Sequence, residues 1–141
     1  MRRVSENRFV CSGRVRFSEL DPQGVVFYSR YLEYIDDAII TYWRERGVTS
    51  PPGASEVEFQ VKSVRIDYQR PLRQDEQYDI GLVVSRVGTS SVTFAITVYG
   101  NGGTDVCSVA EVVHVNVALA AGTSVPMTAA LREILQRDMV P

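Results

Sequence analysis

Two periodicities divide the chain. From Phe9 to Phe17 the β-prone apolar positions Val10, Val15 and Phe17 predict a strand, with Gly13 placed for a bulge. The string SELDPQG then reads as a turn, in which Pro22 fixes φ and Gly24 can take a positive one. From Ser29 to Arg46 the spacing becomes helical. Tyr31, Leu32, Ile35, Ala38, Ile39, Tyr42 and Trp43 form one stripe, while Glu33, Asp37, Arg44 and Glu45 fall mostly opposite. Ser29 stands as the N-cap and Gly47 as the C′ residue. A helix of this length runs about 27 Å, long for a small domain.

Residues 48–55, VTSPPGAS, form a loop, and from Glu56 to Leu119 the pattern is one of strands. Tyr78, Ile80, Leu82 and Val84 alternate with polar or small partners, as do Val92, Phe94, Ile96 and Val98. Cys107, Val109, Val113, Val115, Val117 and Leu119 mark a longer third run, whose apolar face Glu111 interrupts. The connections RVGTSS and GNGGTD carry the glycines that hairpins need. In the strand Glu56–Tyr68 the apolar phase slips near Ser63, as a bulge would cause. A short amphipathic helix, Thr128–Asp138, closes the chain with Leu131, Ile134 and Leu135 on one side. The expected fold is α+β: a five-stranded antiparallel sheet curved around one long central helix, plus a short C-terminal helix. One helix covers one face of such a sheet, and the open edges favour pairing with a second copy.

Composition narrows the function. The 141 residues (15.7 kDa) make a single domain, 1–141, of ordinary globular composition, 45% hydrophobic and 23% charged. A net charge of −2, with Lys62 the only lysine and the arginines scattered, gives no footprint for nucleic acid or an anionic membrane. No apolar run approaches the roughly 18 residues of a membrane span. The opening MRRVSENRFVC has no apolar stretch behind its arginines, so no secretory signal is expected, and a cytoplasmic location is. Cys11 and Cys107 form no C-x-x-C pair and read as small buried residues of a reducing compartment. His114 is the only histidine. There is no G-x-S-x-G, no Walker loop and no Rossmann fingerprint.

What remains is a carboxylate. Asp21 sits in the turn before the long helix, seven residues ahead of Tyr28. Unpaired N–H groups at a helix start favour developing negative charge, so a carboxylate near them could attack a carbonyl or activate water against it. Spacing alone favours an Asp-Pro turn with no chemistry.

The stretch Asp21-Pro22-Gln23-Gly24-Val25-Val26-Phe27-Tyr28-Ser29-Arg30-Tyr31 resembles the signature of the hotdog-fold acyl-CoA thioesterases, in particular the 4-hydroxybenzoyl-CoA thioesterase family. The similarity continues in order through IDYQRPLRQDEQYDI, SRVGTSSVTF and SVAEVVHVNV. The resemblance implies that Asp21 is nucleophile or general base, that the Tyr28 backbone N–H polarises the thioester carbonyl, and that Gly24 lets the turn approach the acyl group. It implies that Asp36 meets the polar end of that group; the other reading of Asp36 is a charge on the margin of a solvated helix face. A hairpin that is basic in the aryl-CoA enzymes here has Arg86 followed by Val87-Gly88-Thr89-Ser90. Arg70, Arg73, Arg86, Thr89 and Ser90 are the candidates for binding coenzyme A. Glu19 could be a second carboxylate, with a solvent-facing place expected; His114, on the opposite face of the last strand from Glu111, is expected to be structural.

The resemblance implies thioester hydrolysis of an acyl-CoA without metal or organic cofactor, by a homo-oligomer, a dimer or dimer-based tetramer with sites between subunits. Two other readings keep the scaffold: hydrolysis of acyl chains tethered to an acyl carrier protein, and a non-catalytic acyl-binding domain. A binder would have no need of Asp21, Gly24 and Tyr28 together. Dehydration of acyl thioesters normally pairs a histidine with an acid, and His114 is poorly placed for it.

Overall fold

The helical stripe becomes α1 (Arg30–Glu45), the spine of the molecule in this computed structural model, which describes residues 2–48 and 57–140. Ser29 is its N-cap, but the side chain accepts no hydrogen bond. The C-terminus is closed by a Schellman motif: Gly47 N–H donates to Arg44 O, and Val48 N–H to Trp43 O, both at 3.0 Å. Gly47 takes φ 71°, which is why a glycine stands there.

Around α1 run β1 (Phe9–Arg14), β2 (Val57–Tyr68), β3 (Gln77–Val87), β4 (Ser91–Gly100) and β5 (Asp105–Ala118). They form one curled antiparallel sheet in the order β1-β3-β4-β5-β2. A sixth strand, the two-residue β6 (Thr123–Ser124), pairs with the end of β5 and extends the expected five. The register of β2 on β5 shifts between Val61 and Ser63, the bulge its apolar phase predicted. The C-terminal helix α2 is Ala129–Arg137, and its N-cap Thr128 accepts from Leu131 N–H.

Tyr31, Ile35, Ala38, Ile39 and Tyr42 of α1 are buried against Ile80, Leu82 and Val84 of β3, Phe94, Ile96 and Val98 of β4, and Val112 of β5. Burying each such side chain contributes about 1.5–3 kcal/mol. Asp138, just past α2, clasps the helix end: it accepts from the Tyr42 hydroxyl at 2.6 Å and from Arg46 at 2.8 and 3.1 Å. Burial raises the Asp138 carboxyl, but its hydrogen bonds from Arg46 and Tyr42 outweigh that and hold it below the usual carboxylate range.

Three expectations are corrected. The first strand ends at Arg14, and Phe17 lies in a 3-10 turn, Phe17–Glu19, with its ring exposed. That turn closes because the Glu19 carboxylate accepts from Arg16 N–H, drawing the chain out of extended geometry. Gly13 makes no bulge, since β1 pairs β3 without a register shift; a Cβ there would collide with the Tyr78 ring. On β5 the buried face is Ala110, Val112, His114 and Asn116, whereas Val109, Glu111, Val113 and Val115 face outward. A register shift at Val98/Tyr99 re-phases the strand, so Cys107 is buried although it shares odd numbering with the outward set. The predicted loop at residues 48–55 lies, after Val48, outside the described residues.

Candidate active site

The turn ahead of α1 is a small hairpin. Asp21 N–H donates to Val25 O at 2.8 Å, Gly24 N–H to Asp21 O at 3.0 Å, and Phe27 N–H to Glu19 O at 3.0 Å. Leu20 bridges Val26. Gly24 takes φ 78°, with open space where a side chain would project. Asp21 fits both readings of its spacing. Its Oδ1 accepts from Gln23 N–H at 2.8 Å and Val25 N–H at 3.4 Å, as an Asx turn does. Its Oδ2 has no partner among the described residues, and the side chain is half-buried.

The hairpin delivers the chain to the helix start. Neither Tyr28 N–H nor Ser29 N–H donates a hydrogen bond among the described residues, and the Tyr28 ring is exposed. These are the orphan amides of a helix N-terminus, with the macrodipole behind them. The β2–β3 loop anchors the assembly: Val26 N–H donates to Leu72 O at 2.9 Å, and Leu72 N–H to the Tyr31 hydroxyl at 2.8 Å. From β2, the Tyr68 hydroxyl donates to Tyr28 O at 2.9 Å.

The two ends of α1 are thus tied to β2, by Tyr68 on Tyr28 at one end and at the other by Trp43 stacked on Phe59, ring centroids 4.8 Å apart. Between those ties Leu32, Asp36 and Ile40 on the helix, and Val61 and Val64 on the strand, remain exposed. Asp36 lies two helical turns from Tyr28, about 12 Å along the axis, between Leu32 and Ile40.

The coenzyme A candidates separate into two groups. Arg73 is exposed and bridges Val25, next to the Asp21 turn. Arg70 is close by, but its guanidinium is committed to Glu76, Asp105 and Pro71 O, and the two carboxylates, Glu76 foremost, raise its pKa. That commitment sets Arg70 apart as a clasp of the β2–β3 loop rather than an unpaired phosphate donor. Arg86, Thr89 and Ser90 stand at the other end of β3, about 30 Å away along the strand. Their hairpin is held by the C-terminal segment, where Met127 N–H donates to Thr89 O at 2.9 Å, and by β5, where Asn116 N–H donates to Ser90 O at 2.7 Å.

Sequence reasoning misplaced Glu19, which is 5% exposed rather than solvent-facing. The Arg-Phe-Ser-Glu spacing of a capping box was the signal for it. Tyr68 was missed as a site residue, because nothing local marks a tyrosine that reaches a carbonyl forty residues away. His114 is buried against Phe94 and Phe59, far along β5 from Asp21, with Glu111 exposed on the opposite face, so its part is structural. Among the described residues no group of three His, Cys, Asp or Glu side chains is disposed to hold a metal, and no helix is long and apolar enough to cross a membrane.

A curled antiparallel sheet around one long helix, with a short C-terminal helix, is the hotdog thioesterase fold. The chain belongs to the thioesterase-like superfamily, whose family model matches residues 15–135. Solved structures repeat the fold. The PA5185 protein from Pseudomonas aeruginosa strain PAO1 is 28% identical, with a TM-score of 0.87 over 96% of this chain and 94% of its own. Slr0204 from Synechocystis, a 1,4-dihydroxy-2-naphthoyl-CoA thioesterase, is 14% identical, with a TM-score of 0.83 over 91% and 95%. The hypothetical protein AQ1494 from Aquifex aeolicus is 25% identical, with a TM-score of 0.81 over 90% and 98%. By its membership this chain is a thioester hydrolase.

Proposed function

We propose that the chain hydrolyses acyl-CoA thioesters, with Asp21 as nucleophile or general base and the Tyr28 N–H as the carbonyl's hydrogen-bond donor. One observation carries the reading: an unpartnered carboxylate oxygen and unpartnered helix-start amides flank a single turn. With the thioester oxygen on the amides, Asp21 attacks the carbonyl carbon. The tetrahedral oxyanion collapses, the C–S bond breaks, and coenzyme A departs as thiolate, leaving a mixed anhydride that water opens to the free acid. As a base, Asp21 instead takes the proton of an attacking water, and the same C–S bond breaks. A thiol near pKa 8.5 leaves as thiolate without an acid to protonate it, so no histidine is required. In this reading no cofactor takes part.

The site is completed by a second copy. Among the described residues β2 pairs only with β5, leaving its outer edge open, and Val61 and Val64 are 55% and 43% exposed beside it. Antiparallel pairing of two such edges reverses the chains. It brings the Arg86–Ser90 end of one copy toward the Asp21 end of the other, where Arg73 already stands. That arrangement reunites the two groups of coenzyme A candidates, and Asp36 then faces the acyl group in the covered groove.

Thiol release from a panel of short, long, phenylacetyl and hydroxybenzoyl CoA esters tests the reading, comparing the natural chain with Asp21→Asn. Asparagine keeps the Oδ1 acceptor of the Asx turn, so the fold should survive while the rate falls on the order of a thousandfold. Full activity in the variant, or no release from any ester by the natural chain, would refute it.

A further inference from the structure

Two carboxylates are buried in the described residues: Asp138, in the clasp at the end of α1, and Glu19, directly beneath the site. Glu19 joins two segments. Its Oε1 accepts from Arg16 N–H at 2.8 Å and its Oε2 meets the Arg16 guanidinium at 3.5 Å, closing the 3-10 turn. Its main-chain carbonyl accepts from Phe27 N–H, so Tyr28 is the next residue along. Two residues after Glu19 comes Asp21. α1 lies nearby, though Glu19 makes no hydrogen bond to it. The Tyr34 hydroxyl is buried and has no hydrogen-bond partner within bonding geometry, and burial, then the neighbouring Glu19 carboxylate, pushes that phenol's pKa up.

Stability alone does not call for a buried charge here. The chain uses the same device at its surface, where Arg3 N–H donates to Glu6 Oε2 at 3.1 Å and the Arg3 side chain to Glu6 Oε1 at 3.0 Å. Both turns read Arg-x-Ser-Glu, yet the side chain of Glu6 is 41% exposed and that of Glu19 is 7%. Burying an ion costs several kcal/mol before its partners repay it, and such groups are best attested where they fix one arrangement over others.

We propose that Glu19 is a positioning residue: by bracing the 3-10 turn against the hairpin that leads into α1, it sets the separation between the Asp21 carboxylate and the Tyr28 N–H. The inference rests on the thioesterase reading above. A misplacement of about 1 Å in such a pair can cost a hundredfold in rate without weakening substrate binding.

The test compares Glu19→Gln, Glu6→Gln and Asp21→Asn for kcat, KM and thermal midpoint on the CoA ester the natural chain hydrolyses best. Glutamine keeps the acceptor for Arg16 N–H but sets an amide donor toward the guanidinium. In Glu19→Gln, kcat should fall tenfold to a hundredfold, on the order of a modest misalignment, with KM within about threefold and a midpoint a few degrees lower. Glu6→Gln, with the same chemistry away from the site, should change neither constant. Should Glu19→Gln not fold, Arg16→Ala replaces it, because that side chain is 78% exposed and its loss leaves the backbone donor in place. The expected result is then a severalfold loss of kcat at unchanged KM. An inactive Asp21→Asn beside an unimpaired kcat in Glu19→Gln, or in Arg16→Ala where that is the variant used, overturns the positioning role alone. A fully active Asp21→Asn overturns the thioesterase reading and this inference with it.

Discussion

The Tyr68 hydroxyl donates to the main-chain oxygen of Tyr28 at 2.9 Å, tying the last residue of β2 to the head of α1. That oxygen also takes the Tyr31 N–H at 3.4 Å, so a main-chain bond of the first helical turn and the side-chain bond converge on one carbonyl. The Tyr68 ring packs edge-on against Tyr31, centroids 5.1 Å apart, and would keep that contact without its hydroxyl.

Tyr68→Phe therefore isolates the hydroxyl. A net hydrogen bond of this kind contributes about 1 kcal/mol to stability. Its loss should let the helix start shift, lowering kcat about threefold to tenfold while KM for the acyl-CoA stays near its starting value. Steady-state thiol release and a thermal melt decide it; a melt lowered as expected with kcat unchanged would make Tyr68 a fold residue only.

How much of this was legible depends on how local the cause is. The helical period placed α1 within a residue at each end, Gly24 announced its positive φ, and the succession of strand, helix, four strands and helix followed from alternation and turn glycines. The likeness of the Asp21–Tyr31 stretch to a family signature pointed at the turn before any coordinates did. Features set by pairing were not readable. The buried face of β5 depends on a register shift against β4, which a valine-rich strand hides because both of its faces carry β-branched residues. The burial of Glu19 follows from a turn that folds beneath the hairpin, and charge alone argues for solvent. The split of the coenzyme A candidates, with Arg73 at one end and Arg86, Thr89 and Ser90 at the other, emerges only once β3 has a direction.

The open edge of β2 makes association testable. Val64 lies on the helix-facing side of the strand, paired in register with Val112 and 43% exposed. Val64→Lys puts a charge on a surface that a second copy should cover, and an unpaired ion in such an interface costs several kcal/mol. Sedimentation equilibrium should show the natural chain as a dimer or larger and the variant shifted to monomer at micromolar concentration. Thiol release should fall with the monomer fraction. A natural chain that is monomeric and fully active would refute the shared site.

Acid should act on the fold through His114. The ring is 7% exposed, packed against Phe94 and Phe59, and neither nitrogen has a hydrogen-bond partner among the described residues. Burial pushes its pKa down to about 4, against about 6.5 in an unfolded chain. The unfolded state therefore binds the proton first. The stability that His114 contributes is complete above pH 6.5 and drains away as pH falls toward 4, reaching about 2 kcal/mol lost near pH 5. Asp138, also held below its unfolded value, loses its share at lower pH still, through and below the carboxylate range. The two groups therefore act in different windows. His114→Leu should flatten the dependence of denaturant-unfolding free energy between pH 6.5 and 4 and leave the lower limb intact. Asp138→Asn should do the reverse. Equal slopes in the natural chain and His114→Leu over the upper window would mean that the folded protein admits water or a partner to the imidazole.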